Sequence, residues 1–270
     1  MSAFRVNVDD GASLHVRLLD ADPSIKNKPL LIALHGAPGF SDHREPENSF
    51  GFLQSQYRIL VYDARGSGIS DLKQPYTNER WIADVEALRS ESHPMAGAEK
   101  IVLAGGSYGG FLALTYALAF PSHLLCLILR DTFAWGSRGM MNVLKQILTS
   151  TRLKVNPDRQ LRLWAGYLRD KQDFEDVYTE IAPLYSPDLP DEVGETIDGK
   201  YTSLKFEGAN KKQDGRRFHA ATQDAAFGFN VPRYDVRAGL KDIATPTLVV
   251  VGRHDLITPL EYSIELKKAF

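Results

Sequence analysis

Short, mostly apolar stretches recur along the chain and predict strands that are buried on both faces. They cover residues 30–34, 58–62, 101–104, 124–129 and 247–251. Segments with a helical pattern, at 78–90 and 111–120, lie between them. A repeated order of strand, loop and helix is typical of an α/β protein with a mostly parallel sheet and right-handed crossovers.

The first twenty residues carry a different pattern. Residues 4–8 and 14–18 alternate apolar and polar positions on either side of Asp9-Asp10-Gly11. This alternation predicts an antiparallel hairpin with one face toward water. His15 falls on a polar position of the second strand, so we expect it to face the solvent.

The strand–helix alternation stops between residues 133 and 235. This block has helical patterns at 141–149 and 159–169 and no strong buried-strand run. We therefore predict two parts, an α/β core formed by residues 1–132 and 236–270, and a helical insertion at 133–235. Ligands bind at the carboxyl ends of the strands in parallel sheets, and we expect the insertion to lie over that edge as a cap.

Composition narrows the class of partner. The chain has 270 residues, of which 43% are hydrophobic, and a formal net charge of −2. Such a balance does not favour nucleic acid or an anionic membrane as a partner, and leaves the oligomeric state open. The N-terminus lacks the pattern of a signal peptide and no apolar run is long enough to span a membrane, so we expect a cytoplasmic protein. The single cysteine, Cys126, lies in an apolar run and is expected in the core.

The glycine-rich stretch after the third apolar run is the main chemical signal. Gly105-Gly106-Ser107-Tyr108-Gly109-Gly110 contains Gly-x-Ser-x-Gly, the pattern of a strained strand-to-helix turn that exposes a serine hydroxyl. Its small residues suit a crowded bend, and the helix that follows offers unpaired N–H groups. We predict that Ser107 is a nucleophile. The alternative is a turn that only packs or holds an anion.

Other strand ends complete the outline of an acyl-transfer site. The backbone N–H groups of Tyr108 and Ala37 are candidates for an oxyanion hole, whereas Pro38 has no N–H to donate. Asp255 follows the last apolar strand and is the candidate acid that orients a histidine. Asp131, which follows residues 124–129, is the alternative acid. Asp63 and Arg65 are expected to tie the loop after the second buried strand.

Four segments resemble the proline iminopeptidases, a branch of the α/β-hydrolases. They are His35-Gly36-Ala37-Pro38-Gly39, the Asp-x-Arg-Gly-x-Gly-x-Ser pattern at 63–70, Gly105-Gly106-Ser107-Tyr108-Gly109, and Gly252-Arg253-His254-Asp255 with Thr258-Pro259. The resemblance implies the α/β-hydrolase fold, Ser107 as nucleophile, Asp255 as acid, and Ala37 and Tyr108 as oxyanion donors. It also implies the release of N-terminal proline or other residues from small peptides, without cofactor or metal.

The family's catalytic histidine has no counterpart by position. The seven histidines are His15, His35, His43, His93, His123, His219 and His254, and none follows Asp255. The resemblance therefore implies that this chain stops before the family's last strand and helix, which would leave apolar surface exposed. His43 and His219 are alternative bases, while His35 is expected to brace its turn. Without a base, Ser107 would be a weak nucleophile.

Two further functions stay open. One is an esterase or lactonase that acts on a small metabolite, and the other is a hydrolase-fold protein that binds a ligand or partner with little or no catalysis. In iminopeptidases, carboxylates of the cap hold the free amino group of the substrate. The candidates for that role here are Glu180, Glu207 and Asp224, and the alternative for each is a solvated surface carboxylate.

Overall fold

The computed structural model describes residues 2–19, 27–91, 97–185 and 217–270. Its sheet is formed by β1 (Ser2–Asn7), β2 (Ser13–Leu18), β3 (Leu30–Leu34), β4 (Arg58–Tyr62), β5 (Ile101–Gly106), β6 (Leu124–Arg130) and β7 (Thr247–Val250). These strands lie in the order β1-β2-β4-β3-β5-β6-β7. The pairs β1–β2 and β2–β4 are antiparallel and the others are parallel. The predicted fold class, including the N-terminal hairpin, is confirmed.

The helices of the described chain alternate with the parallel strands and then fill the insertion. They are α1 (Arg44–Phe50), α2 (Asn78–Arg89), α3 (Tyr108–Ala119), α4 (Gly136–Thr149), α5 (Pro157–Ala165), α6 (Lys171–Ile181), α7 (Ala220–Asp224), α8 (Val231–Arg233) and α9 (Leu260–Ala269). A π-helical segment, Ala225–Asn230, joins α7 to α8. In this part of the chain, no helix has the length and apolarity that a membrane span requires.

Local sequence explains where several helices begin and end. The hydroxyl of Thr77 accepts a hydrogen bond from Arg80 N and caps α2. Asn156 caps α5 in the same way, with Pro157 in the first turn. The helix ends before Gly166, whose φ of 75° is the left-handed conformation that glycine adopts without a steric penalty.

The two ends of the insertion meet in the structure. Trp135 and Asp235 form an isolated antiparallel bridge. Gly136 N donates to Tyr234 O at 2.8 Å and Val236 N donates to Ala134 O at 3.0 Å. The chain therefore leaves and re-enters the α/β part at one point, while the boundaries of the two predicted parts stay a prediction.

The two faces of the sheet differ in how they are covered. One face carries the main core, which includes Leu103, Leu127 and Leu129. On the other face, α1 covers the centre, where Ala33 and Ala104 are buried. Cys126 is only partly buried against this second cluster, so its predicted place in the core is correct only in part.

The apolar surface continues to an uncovered edge at β7. Register places Leu248 beside Ile128, in the row that starts at Ala33 and Ala104. Leu248 is 54% exposed and Val250 is 44% exposed. The mostly apolar run at 247–251 predicted a strand buried on both faces, and that prediction is wrong. β7 pairs with β6 on one side only among the described strands.

This edge gives a first testable prediction. Leu248→Thr should change the free energy of unfolding by less than about 1 kcal/mol, because little burial is lost, and should reduce aggregation by shrinking the apolar patch. Leu129→Thr, in the adjacent strand but fully buried, should cost about 3–5 kcal/mol. Urea unfolding and light scattering would measure both effects. An equal cost for the two variants would contradict the exposure of β7.

Glu86 links α2 to α3 and gives a second prediction. Its carboxylate accepts from Tyr116 OH at 2.6 Å and from His123 Nδ1 at 3.2 Å, and it pairs with Arg89. Burial opposes ionisation, but the hydrogen bonds from Arg89 and Tyr116 outweigh it and lower the pKa of Glu86 from 4.5 to about 2. A carboxylate with a lowered pKa stabilises the folded state above pH 4.5, and this stabilisation is lost as the pH falls toward 2.

Glu86→Gln should therefore lower the free energy of unfolding by about 1–2 kcal/mol at pH 7. The difference from the unsubstituted protein should shrink by more than half between pH 6 and pH 3. Urea unfolding across this range would measure it, with the exposed Glu79→Gln on the same helix as the control. A difference that stays constant with pH would show that the charge of Glu86 is not the cause.

Candidate active site

Ser107 lies on a strained turn between β5 and α3. Its backbone has φ 52° and ψ −119°, and Ser107 and Asp131 are the non-glycine residues with positive φ in the described chain. Such a conformation costs roughly 1–3 kcal/mol and persists only where the surrounding structure enforces it. The turn is anchored by Ser107 N, which donates to Arg130 O, and by Ser107 O, which accepts from Thr132 Oγ1, each at 2.9 Å.

Close packing explains why glycine is required at two positions beside Ser107, Gly105 and Gly109. A Cβ on Gly105 would collide with the backbone of Gly109. A Cβ on Gly109 would lie 2.7 Å from the carbonyl oxygens of both Leu34 and His35. These contacts press α3 against the end of β3, and α3 begins at Tyr108 rather than at the predicted residue 111. The N-terminus of α3 therefore lies immediately after Ser107.

The loop that carries Ala37 lies against the same turn. A Cβ on Gly36 would be 3.7 Å from the Cβ of Ser107, so the two chain segments are adjacent. Within the described chain, neither Ala37 N–H nor Tyr108 N–H donates to another residue. Two unpaired backbone donors near a serine are the arrangement that an oxyanion hole requires. The first-turn N–H groups of α3 add the positive end of the helix dipole.

Side chains from three other segments hold this loop in place. Glu45 accepts from Gly36 N at 3.2 Å and forms an ion pair with Arg130. The buried hydroxyl of Ser67 accepts from Gly39 N at 2.9 Å. The loop shape therefore depends on α1, β6 and the segment after β4.

His35 braces its turn, as predicted. Its Nε2 accepts from Ala64 N at 3.0 Å, and its Nδ1 lies 3.0 Å from Gly36 O. Because Nε2 must accept, Nδ1 carries the proton and donates, which makes the ring a neutral imidazole. Both nitrogens are therefore engaged in holding the backbone.

Asp255 lies in the loop after β7, with a carboxylate that is bonded locally. Oδ1 accepts from Ile257 N at 2.7 Å and from Thr258 N at 2.8 Å, and Oδ2 accepts from Thr258 Oγ1 at 2.7 Å. Asp131, the alternative acid, lies nearby at the end of β6. Burial raises the pKa of Asp131, and the negative charge of Asp255 acts in the same direction.

Asp131 is engaged with its own neighbours. Its Oδ2 accepts from Arg130 Nη1 at 2.9 Å and its Oδ1 accepts from Gly252 N at 3.3 Å. Of the two candidate acids, Asp255 has no cation partner among the described residues. A histidine that approached Asp255 would thus meet a carboxylate without a competing positive charge.

The described histidines do not complete a triad. None of them makes a hydrogen bond to Ser107 Oγ or to the Asp255 carboxylate. His43 bonds to Asp63, and His219 Nε2 lies 3.2 Å from Gly68 O, so the two alternative bases are engaged elsewhere. His254 is exposed. His93 lies outside the described residues.

Residues of the predicted insertion pack directly on the loop at 35–40, which carries Ala37. His219 N, just before α7, donates to Gly39 O at 2.8 Å. A Cβ on Gly39, where φ is 81°, would lie 2.6 Å from His219 O and 2.9 Å from Gln223 N. Phe40 contacts Tyr178 of α6 with ring centres 4.2 Å apart and ring planes tilted by 43°. Phe174 and Phe218 extend this aromatic cluster. The loop therefore packs against a cluster of aromatic side chains, formed by Phe40, Phe174, Tyr178 and Phe218.

Glu180 and Asp224, two of the carboxylates predicted to hold the amino group of a substrate, are bonded to other groups of the protein. Glu180 Oε1 accepts from Arg159 Nη1 at 2.6 Å and its Oε2 accepts from Gln160 Nε2 at 2.7 Å. With a side chain only 11% exposed, Glu180 is neither solvated nor free to pair with a ligand. Asp224 is half-buried, its Oδ1 accepts from Leu168 N at 3.0 Å, and burial raises its pKa. Glu207 lies outside the described residues.

Asp63 and Arg65 are structural, as predicted. The Asp63 carboxylate accepts from His43 N at 2.8 Å and from Ile69 N at 2.9 Å. Arg65 donates to the carboxylates of Asp84 and Asp10 and, at 3.4 Å, to Lys73 O. Both side chains therefore fix the loop after β4, which in turn supports the loop at 35–40 through Ser67.

Residues 29–270 match the family described as the alpha/beta hydrolase fold. The chain belongs to this family. Solved structures agree with this fold. The chain is similar to an alpha/beta fold family hydrolase from Bacillus anthracis, with a TM-score of 0.69 and 19% identity, over 100% of this chain and 88% of the other. A hydrolase from Pseudomonas aeruginosa matches with a TM-score of 0.64 at 23% identity, over 99% of this chain and 86% of the other.

Two relatives indicate the branch of the α/β-hydrolases to which the chain belongs. Proline iminopeptidase PfmaB of Pestalotiopsis fici is 31% identical over 260 residues, which cover 94% of this chain and 83% of the relative. Proline iminopeptidase of Saccharolobus solfataricus is 28% identical, over 96% of this chain and 81% of the relative. The chain is therefore an α/β-hydrolase of the proline iminopeptidase branch, and the resemblance seen in its motifs is confirmed.

Proposed function

We propose that this hydrolase is a serine aminopeptidase that releases N-terminal proline or other residues from small peptides through an acyl-enzyme on Ser107. One observation carries the proposal. Ser107 sits at φ 52° beside two unpaired backbone donors, Ala37 N–H and Tyr108 N–H. A hydroxyl on a strained, partly buried turn next to such donors suits attack on a carbonyl carbon.

In the proposed reaction, Ser107 Oγ attacks the carbonyl carbon of the first residue, and the two N–H groups stabilise the oxyanion. The C–N bond then breaks, and the amine leaves with the proton that Oγ gave up. Water adds to the acyl-enzyme, its oxygen and one hydrogen become part of the carboxyl group of the released amino acid, and its other proton goes to Oγ. Asp255 is proposed as the acid that orients the base, and no described histidine is assigned as that base.

The aromatic cluster beside the loop at 35–40 supports an apolar side chain at the first residue of the peptide substrate. Phe40, Phe174, Tyr178 and Phe218 form one cluster beside Gly39, which is bonded to the cap at His219. A proline ring or another small apolar side chain would bury hydrocarbon against such a surface. Glu180 is excluded as the carboxylate that holds the amino group, because Arg159 and Gln160 already occupy it.

The experiment compares three substrates on the purified protein. Proline β-naphthylamide tests the peptidase reaction, N-acetyl-proline β-naphthylamide tests the need for a free amino group, and p-nitrophenyl acetate tests esterase chemistry. We expect turnover of the first, with kcat/KM at least about tenfold above that for the acetylated compound. Turnover of the ester alone would reject the peptidase proposal in favour of an esterase or lactonase.

A specific observation favours a second candidate, a hydrolase-fold protein that binds a ligand without turnover. In the described chain, the Asp255 carboxylate is bonded to backbone and to Thr258 rather than to a histidine. Without a base, the serine hydroxyl is a weak nucleophile. No turnover of any of the three substrates, together with no covalent labelling of Ser107, would favour this candidate.

A further inference from the structure

Three side chains that can bind a metal lie close together at the β2–β4 pair. His15 lies on β2, His43 precedes α1, and Asp63 follows β4 directly. One ligand atom from each lies within 4.8 Å of the other two. We propose that His15, His43 and Asp63 bind a divalent transition-metal ion of the zinc class.

Sheet register brings the three together. β2 runs antiparallel to β4 with Val16 opposite Tyr62, so His15 and Asp63 become neighbours, and Asp63 N donates to His15 O at 3.0 Å. Ser70 strengthens this contact, because His15 N donates to its hydroxyl at 2.8 Å and the hydroxyl donates to Asp63 O. The two residues are thus fixed by backbone bonds rather than by an accidental approach of side chains.

The Asp63 carboxylate is also held in a defined orientation. Its Oδ1 accepts from His43 N at 2.8 Å and its Oδ2 accepts from Ile69 N at 2.9 Å. The side chain of Asp63 is 1% exposed and that of His43 is 13% exposed. Hydrogen bonds that orient the ligands of a metal raise its affinity, because less ordering remains to be done on binding.

The donor set selects the type of ion. Two imidazoles and one carboxylate suit zinc and similar ions, whereas calcium and magnesium prefer oxygen ligands. Ligand atoms around a tetrahedral zinc ion lie about 3.4 Å apart, given bonds of about 2.0–2.1 Å. His43 Nδ1 and Asp63 Oδ1, now 2.7 Å apart, would have to separate by about 0.7 Å. The half-buried ring of His15, now edge-on to His43 with centres 5.1 Å apart, would have to approach them by about 1 Å. Water would fill the fourth position.

His43 must change its proton position to bind through Nδ1. At present Nδ1 donates to Asp63 Oδ1 at 2.7 Å, and Nε2 faces Arg17 Nη1 at 3.3 Å. Arginine only donates, so Nε2 is the acceptor and Nδ1 carries the proton. On binding of a metal at Nδ1, the proton moves to Nε2, which can then no longer accept from Arg17. Arg17 keeps its existing ion pair with Glu47, where Nη2 lies 3.1 Å from Oε1.

Arg17 therefore opposes the proposed site in two ways. Its positive charge repels a dication, and its hydrogen bond to Nε2 stabilises the wrong tautomer of His43. Arg17→Gln should bind the metal at least about threefold more tightly, a direction that adventitious binding to surface histidines would not show.

The test uses the tag-free chain after dialysis against EDTA. Isothermal titration with ZnCl₂ should give one equivalent bound, and CoCl₂ should give the visible absorption of a tetrahedral site. His15→Ala should weaken zinc binding at least about tenfold. The matched control is His123→Ala, since His123 is a partly exposed histidine paired with a carboxylate, Glu86.

The outcomes separate a metal site from a hydrogen-bonded cluster. Loss of binding in His15→Ala but not in His123→Ala, with circular dichroism unchanged, supports the proposal. Failure of the unsubstituted protein to bind zinc, or equal binding by His15→Ala, overturns it. His43→Ala removes a partner of the buried Asp63, so if that variant does not fold, His15→Ala and Arg17→Gln decide the question.

Discussion

Arg65→Met should lower the free energy of unfolding by about 3–5 kcal/mol. Arg65 is fully buried and binds Asp84 through two parallel hydrogen bonds, Nε to Oδ2 at 2.6 Å and Nη2 to Oδ1 at 2.8 Å. It also donates to Asp10 at 2.7 Å. Burial raises the pKa of Asp84 while Arg65 opposes that rise. Removal of the guanidinium therefore leaves a buried carboxylate that, among the described residues, only Arg80 still neutralises.

Urea unfolding at pH 7 would measure the effect, with two comparisons. Arg5→Met removes an exposed arginine whose guanidinium lies 3.6 Å from Asp71, and should cost at most about 1 kcal/mol. The double variant Arg65→Met/Asp84→Leu should recover part of the loss, because the unpaired buried charge is gone. A loss for Arg65→Met no larger than that for Arg5→Met would contradict the structural role given to this pair.

Ser107→Ala should reduce kcat/KM for proline β-naphthylamide at least about 10³-fold, because the attacking oxygen is removed. Ser90→Ala, at the end of α2, is the matched control and should keep full activity. Ser107→Gly should be equally inactive but should unfold at a higher temperature than Ser107→Ala, since glycine adopts φ 52° without strain. Full activity of Ser107→Ala would remove Ser107 from the reaction.

Most of the sheet could be predicted because its strands are apolar on both faces. Residues 30–34 and 58–62 match β3 and β4 at both ends. At β7 the same pattern was misleading, because burial depends on what covers the sheet, and Leu248 is exposed there. The sequence pattern predicts that α3 starts at 111, because Tyr108-Gly109-Gly110 belongs to the glycine-rich stretch that is typical of a turn. In the structure, the packing of Gly109 against Leu34 and His35 allows the helix to begin earlier.

The side-chain partners could be predicted less well than the turns that carry them. Gly-x-Ser-x-Gly predicts a bend whatever surrounds it, and Ser107 adopts that bend. Glu180 was assigned to solvent or substrate, and its pairing with Arg159 depends on how α5 packs on α6. The cluster of His15, His43 and Asp63 joins positions 28 and 20 residues apart. The predicted hairpin pairs β1 with β2 and gives no sign that β2 also pairs with β4, which is what places His15 beside Asp63.

Covalent labelling with a fluorophosphonate, followed by mass spectrometry of the digested protein, tests the central claim most directly. The reagent reports an activated serine without requiring the right peptide substrate. We predict a single adduct, located on Ser107 and absent from Ser107→Ala. No adduct on the folded protein, or an adduct on another residue that persists in Ser107→Ala, would contradict the assignment of Ser107 as the nucleophile.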